Sequence, residues 1–399
     1  MSEISTTSSF DHVIRRGGTA SLKYDAREAY FGRADIIPLW VADMDFAVPE
    51  TVQRALTERA AHPVFGYTVH PESLYESLIL WLGNRHGWAI KREWIVFCPG
   101  VVPSLHASIM ALCPPGAGVI VQPPVYAPFL SAPVTTGRKL LLNPLKLEDG
   151  RYRFDPDDLE RCAAEGGRLL ILCSPHNPVG RVWQREELQA LLSVCERHGI
   201  AVVSDEIHAD LVYPGMRHVP LATLGDKVKI VTAVAPSKTF NIPGLGLSAL
   251  VVPEQDDRAA ITQAFDTLHV SAGNPFSIAA FEAAYRGGAP WLDALLEYLA
   301  GTRDMVREFL HQCLPQIKLI EPEGTYLLWL DCRAMGLNDH QLRHFFVQEA
   351  GVGLSAGTLF GEQGSGFMRM NIGAPRSVIQ QALKNIAGAA ASRNCSHLS

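Results

Sequence analysis

Lys238 is the residue from which the chemistry can be read. It lies in Ala235-Pro-Ser-Lys-Thr-Phe-Asn-Ile-Pro-Gly-Leu245, directly after an apolar run and among small and turn-forming residues. A lone amine kept from water is costly unless it reacts or pairs. Two other apolar runs end in polar groups: Cys173-Ser-Pro-His-Asn-Pro-Val-Gly180 supplies Asn177, and Ser204-Asp-Glu-Ile-His-Ala-Asp210 supplies Asp205 and His208. Ligands of open α/β sheets bind beyond the carboxyl ends of the strands, so the three segments are expected to converge. An aldehyde cofactor requires an amine for a Schiff base, an acid that keeps a ring nitrogen protonated and a donor beside a phenolic oxygen. Lys238, Asp205 and Asn177 are of those types, although a solvated loop lysine and a carboxylate capping a turn stay open on residue type alone.

The elements that must position these groups are legible as apolar runs: Gly118-Val-Ile-Val-Gln122, Arg168-Leu-Leu-Ile-Leu-Cys173, Ala201-Val-Val-Ser-Asp205, Lys229-Ile-Val-Thr-Ala233 and Leu247-Ser-Ala-Leu-Val-Val252. Runs apolar throughout suit strands buried on both faces, as in a parallel sheet covered by helices, and the class expected is α/β. Near Gly287-Gly288 the pattern changes to a long amphipathic helix over Trp291–Cys313, a strand over Thr325–Asp331 and a helix from Asp339 to Ala350. The expected division is an arm with part of a small domain over 1–45, a large domain over 46–288 and a C-terminal small domain over 289–399. Cys98-Pro-Gly-Val-Val-Pro-Ser104 follows the strand-like Trp94-Ile-Val-Phe97 and opens a helical pattern. The backbone N–H groups of Gly100, Val101 and Val102 are therefore placed to cradle a phosphate.

Bulk properties narrow the function classes. The chain has 399 residues, 47% hydrophobic and 19% charged, more than one core usually holds. A net charge of −6 leaves no basic field for a nucleic acid. No basic, apolar leader and no apolar run of ~18–20 residues is present, so a cytoplasmic protein is expected. The eight cysteines form no CxxC pair and read as reduced, mostly buried residues. Cys173-Ser-Pro-His176 lacks a second half-site and Gly244-Leu-Gly246 lacks a third glycine, so neither a metal nor a dinucleotide is expected. Residues 1–10 and 392–399 read as disordered.

The order Asn177, Asp205, Lys238, Arg369 resembles the fold-type I pyridoxal-phosphate (PLP) enzymes, the class I/II aminotransferase superfamily, over nearly the whole chain. More narrowly, Pro38-Leu-Trp-Val-Ala-Asp-Met-Asp-Phe46, Pro175-His-Asn-Pro-Val-Gly-Arg-Val-Trp183, Ser204-Asp-Glu-Ile-His208, Ser237-Lys-Thr-Phe-Asn-Ile242 and Gly288-Ala-Pro-Trp-Leu-Asp293 resemble the MalY/PatB branch of carbon–sulfur β-lyases. The resemblance implies a large domain with a mostly parallel mixed sheet flanked by helices, a smaller α+β domain, and a homodimer with shared active sites. It also implies β-elimination from cystathionine or cysteine S-conjugates to pyruvate, ammonia and a thiol. An aminotransferase is the alternative, and a PLP-binding regulatory protein a second.

By the same resemblance Lys238 carries the cofactor and serves as the Cα base, and Asp205 pairs with the pyridinium nitrogen. Tyr126, in Pro123-Pro-Val-Tyr-Ala-Pro-Phe129, stacks on the ring with its hydroxyl near the reacting groups, and Asn177 bonds the phenolic oxygen and contacts substrate. Gly100, Val101, Val102 and Ser237 hold the phosphate. Arg369, in Phe367-Met-Arg-Met-Asn-Ile-Gly373, grips the substrate α-carboxylate, with Gly357 to Gly366 and its Phe360 as an adjoining mobile loop. Tyr67, in Phe65-Gly-Tyr-Thr68, reaches the phosphate and substrate from the neighbouring subunit, or is a surface aromatic. Two positions depart from the pattern: His208 stands where many relatives have a tyrosine, and Gly246 replaces an arginine. A histidine satisfied by backbone groups is the other reading of His208.

Overall fold

The computed structural model describes residues 10–396. Its centre is a seven-stranded sheet in the spatial order Ile95–Cys98, Ser248–Val251, Ile230–Val234, Ala201–Asp205, Gly167–Cys173, Gly118–Val121, Lys139–Leu142. Five neighbouring strands, from Ile230–Val234 to Lys139–Leu142, run parallel, and Ser248–Val251 is antiparallel to both of its neighbours. The expected mostly parallel mixed sheet is present.

Burial explains why these runs are apolar at every position. Val119, Val121, Leu169, Ile171 and Val203 join one core with Leu105 and Ile109 of the helix Val101–Leu112 and with Ile261 and Phe265 of Gln255–Thr267. The intervening Ile120, Leu170, Leu172 and Val202 join a second core with Leu188 and Leu191 of Arg185–His198. Successive side chains of a strand point to opposite faces, so helices on both sides demand apolar residues at both parities.

A second sheet, antiparallel, has the order Lys318–Ile320, Leu327–Asp331, Phe367–Asn371, Ser355–Ala356. The helices Ala289–Cys313 and Arg376–Ser396 pack together beside it. Ile37–Pro38 pairs in parallel with Val352–Gly353, tying the N-terminal segment to this half of the molecule.

Several expectations need correction. Phe10, read as part of a disordered start, is 2% exposed and meets Phe46 edge-on at 5.1 Å. The last helix continues to Ser396, so 392–396 are helical; residues 1–9 and 397–399 lie outside the described residues. The helix expected over Asp339–Ala350 is α-helical to His344 and then a π turn over Phe345–Glu349. The edge strand Lys139–Leu142 went unread because its half-exposed residues break the continuous apolar pattern. Among the described residues no helix is long and apolar enough to cross a membrane, and no cluster of His, Cys, Asp and Glu could hold a metal ion.

Candidate active site

Three strand ends of the large sheet and one helix start meet at a cavity of about 240 Å³. Ala201–Asp205 ends on Asp205, Gly167–Cys173 leads into the turn that carries Asn177, and Ile230–Val234 leads into the short helix Pro236–Thr239 with Ser237 and Lys238. All four residues line the cavity, together with His208 and Tyr126. Tyr126 is the residue before the helix Ala127–Thr135 and is 38% exposed. The floor at the other end is Gly100, Val101 and Val102. Gly100 caps the helix Val101–Leu112 with φ of 155°, a backbone conformation that favours glycine, and the first-turn N–H groups have no intrahelical partner.

Arg369 reaches this site from the second sheet, where it stands opposite Trp329 and Ser355 in register. Its Nη1 donates to Asn177 Oδ1 at 3.1 Å and its Nη2 to the Trp40 carbonyl at 2.8 Å, and the guanidinium lies 4.8 Å from the Phe360 ring centroid. It is 5% exposed, and its Nε has no partner. The loop expected to be mobile is two 3₁₀ turns, Gly357–Phe360 and Glu362–Gly364, with Phe360 3% exposed. A Cβ added at Gly357 would lie 2.0 Å from the Gly364 carbonyl oxygen, so the turns close on each other only with glycine at that position.

Withdrawal from solvent displaces the ionisation of each of these groups. Burial, with Arg369 nearby, lowers Lys238 from 10.5 to about 8. Burial raises Asp205 from 3.8 to about 7, opposed mainly by the Ile207 N–H, which donates to its carboxylate at 3.1 Å. Burial, reinforced by Lys238 and Arg369, drives His208 down to about 3, so its ring is neutral. Burial also lowers Arg369 to about 10 and raises Tyr126. Such displaced values in a cleft mark a functional site.

The donor set fits PLP on what these residues lack. Asp205 is buried with no cation in contact, which suits a protonated ring nitrogen. His208 Nδ1 is buried without a partner, so the reading of a histidine satisfied by backbone groups does not describe it. Arg369 is a buried guanidinium with no carboxylate bound to it, and the helix start at Val101 offers N–H groups to a phosphate. Gly246, at φ of 56°, also lines the cavity and brings no cation. Tyr67 does not line it; it is fully exposed.

Sequence reasoning missed the partners of these residues. Lys238 Nζ donates to the Ala42 carbonyl at 2.8 Å, and the Tyr326 hydroxyl donates to the same oxygen at 2.9 Å. The Tyr326 ring stands edge-on to His208 at 6.3 Å. Ser355 contacts Arg369 through its hydroxyl at 3.3 Å. The motif Pro38–Phe46 was visible, but a backbone carbonyl has no residue-type signature.

A seven-stranded mixed sheet with a half-buried lysine and a buried aspartate and arginine around one cavity defines an α/β enzyme of PLP fold type I. Residues 34–386 match the family Aminotransferase class I and II, and the chain belongs to that family. It is 43% identical to the cystathionine beta-lyase PatB of Bacillus subtilis (strain 168), over 95% of this chain and 99% of that protein. It is 33% identical to the protein MalY of Escherichia coli (strain K12), over 95% and 98%. Among solved structures, cystalysin from Treponema denticola, which contains a pyridoxal 5'-phosphate cofactor, superimposes with a TM-score of 0.92 at 34% identity, covering 96% of this chain and 98% of that one. The PLP-bound C-S lyase from Staphylococcus hominis gives 0.89 at 32% identity, covering 95% and 97%.

Proposed function

We propose that this chain is a PLP-dependent carbon–sulfur β-lyase that converts cystathionine or related cysteine S-conjugates to pyruvate, ammonia and a thiol, homocysteine in the case of cystathionine. The observation that carries the reading is the juxtaposition of two buried ionisable groups, Asp205 and Arg369, with the half-buried Lys238, none of which is paired with an opposite charge. The likeness over almost the full length to a cystathionine β-lyase supports the choice of reaction.

The bound cofactor supplies an electron sink for the charge that develops at Cα. The protein's own groups do the rest. Arg369 takes the substrate α-carboxylate and orients the Cα–H bond toward Lys238. With its value lowered to about 8, Lys238 gives up its proton far more readily than an ordinary lysine and, once neutral, accepts the Cα proton. Asp205 keeps a proton on the ring nitrogen, and the start of Val101–Leu112 with Ser237 anchors the phosphate. Breaking the Cβ–S bond carries the electron pair onto sulfur, and the released enamine hydrolyses to pyruvate and ammonia.

The proposal includes a cytoplasmic homodimer and the division 1–45, 46–288 and 289–399. The homodimer is supported by the exposed apolar stretch with Val64, Phe65, Tyr67 and Val69, which a second copy would cover, so that Tyr67 serves the partner's phosphate and substrate. The test of the reaction is incubation with cystathionine and no keto acid. Catalytic pyruvate and free thiol are expected; a strict requirement for a keto-acid acceptor would make the protein an aminotransferase, and binding without turnover would make it a regulatory protein.

A further inference from the structure

The segment Trp40-Val-Ala-Asp-Met44 passes between Lys238 and Arg369, and every one of its carbonyls accepts a side-chain hydrogen bond. The partners alternate. The Trp40 and Ala42 carbonyls take Arg369 Nη2 and Lys238 Nζ, each at 2.8 Å. The Val41 and Asp43 carbonyls both take Asn371 Nδ2 at 2.6 Å. From the other side Asn241 Nδ2 donates to the Met44 and Phe46 carbonyls at 2.9 Å, and Asn241 Oδ1 accepts the Met44 N–H at 2.8 Å. Asn371 Oδ1 accepts the Gly373 N–H at 2.7 Å. Both amides thus have donors and acceptors matched atom for atom, which neither aspartate nor an apolar residue reproduces.

We propose that Asn371 and Asn241 are positioning residues that clamp this segment so that the Trp40 carbonyl orients Arg369 and the Ala42 carbonyl orients Lys238. Each sits close in sequence to the group it serves: Asn371 follows Arg369 by two residues on one strand, and Asn241 follows Lys238 by three. A slip of the segment by one carbonyl would present the Val41 oxygen, now held by Asn371, in place of one of the two facing the site. Asn371 is fully buried and Asn241 holds φ of 57°, a left-handed conformation that asparagine tolerates. The groups that bear on the charge of Lys238 are Arg369, Asp43, Asp205 and His208, and Asp43 lies within the clamped segment.

The test compares holoenzyme carrying Asn371→Asp or Asn241→Gly with the wild type. Asn371→Asp keeps the acceptor for Gly373 but cannot donate, and Asn241→Gly removes the clamp while suiting the positive φ. Calorimetric binding of 2-aminoisobutyrate, which offers an amine and a carboxylate but no Cα proton, is expected to weaken by about 10- to 100-fold, with a matching rise in KM. In Asn241→Gly, which adds no charge, the acid limb of the kcat–pH profile is expected to move to lower pH, because a carbonyl acceptor favours the charged amine and its loss lowers the lysine further. Either variant that folds, by its thermal unfolding, decides the question. Unchanged binding and an unmoved limb overturn the proposal, and so does unfolding of both variants, which would assign the amides to the fold alone. The kinetic arm rests on the lyase reading and the binding arm does not: a wild type without turnover whose binding still weakens in the variants defeats that reading and leaves the clamp standing.

Discussion

Two lysines donate to carbonyls of the Trp40–Met44 segment, and their surroundings differ in kind. Lys23 is 0% exposed, donates to Asp45 at 3.0 Å and lies 3.7 Å from Asp43. Arg16 bonds both carboxylates and is held above its ordinary value chiefly by Asp43, and the Tyr24 hydroxyl completes Asp45 at 3.0 Å. Lys238 is only half-buried and has just the Ala42 carbonyl, with Arg369 as its strongest charged neighbour. Lys23 is sealed and paired, whereas Lys238 is partly open and unpaired; pairing separates a structural amine from a reactive one. The paired cluster holds its charges in place, and the unpaired one leaves an amine that gives up its proton readily and a carboxyl that keeps one.

The sharpest break of this comparison is to convert each lysine to methionine. Lys238→Met is expected to lower turnover by about 10⁴-fold or more without lowering the melting temperature. Lys23→Met is expected to cost about 1–3 kcal/mol of stability with KM unchanged, since Asp45 loses one of its cations while Arg16 and Tyr24 still hold it. Steady-state kinetics and thermal unfolding on the two proteins check both, and the reverse pattern would erase the distinction.

A smaller effect follows from Asp205. With its value raised from 3.8 to about 7, folding takes up a proton between those limits, so the cofactor-free protein should lose stability as pH rises through that window. Asp205→Asn should remove that loss, a gain on the order of 2–4 kcal/mol at pH 8 and none below the ordinary carboxyl range. Urea unfolding of the cofactor-free proteins at several pH values measures it; a gain that is equal at all pH values would deny that the carboxyl is unpaired.

The smallest expected change sharpens the comparison on the substrate side. Arg369→Lys keeps the charge but loses the planar pair of donors, and KM for cystathionine is expected to rise about 10- to 100-fold with a smaller change in kcat. An unchanged KM would remove Arg369 from carboxylate recognition.

Much of this was legible before any coordinates. Ala201–Asp205 was bounded at the residue, because a strand buried on both faces is apolar along its whole length. Lys238, Asp205 and Asn177 stood out because their chemistry resides in side chains at strand ends. The antiparallel direction of Ser248–Val251 was not legible, since an apolar run looks the same read either way. Neither was the burial of Lys23, whose pairs with Asp43 and Asp45 bring together residues about twenty positions apart.

What the order of residues determined by itself was the list of reacting groups and the strands that carry them, because residue type and periodicity are local properties. What only the tertiary structure decided was which charges go unpaired and which carbonyls face them. A hydrogen bond from Lys238 to Ala42, across 196 positions, depends on packing between distant segments, and a backbone oxygen is the same atom in every residue.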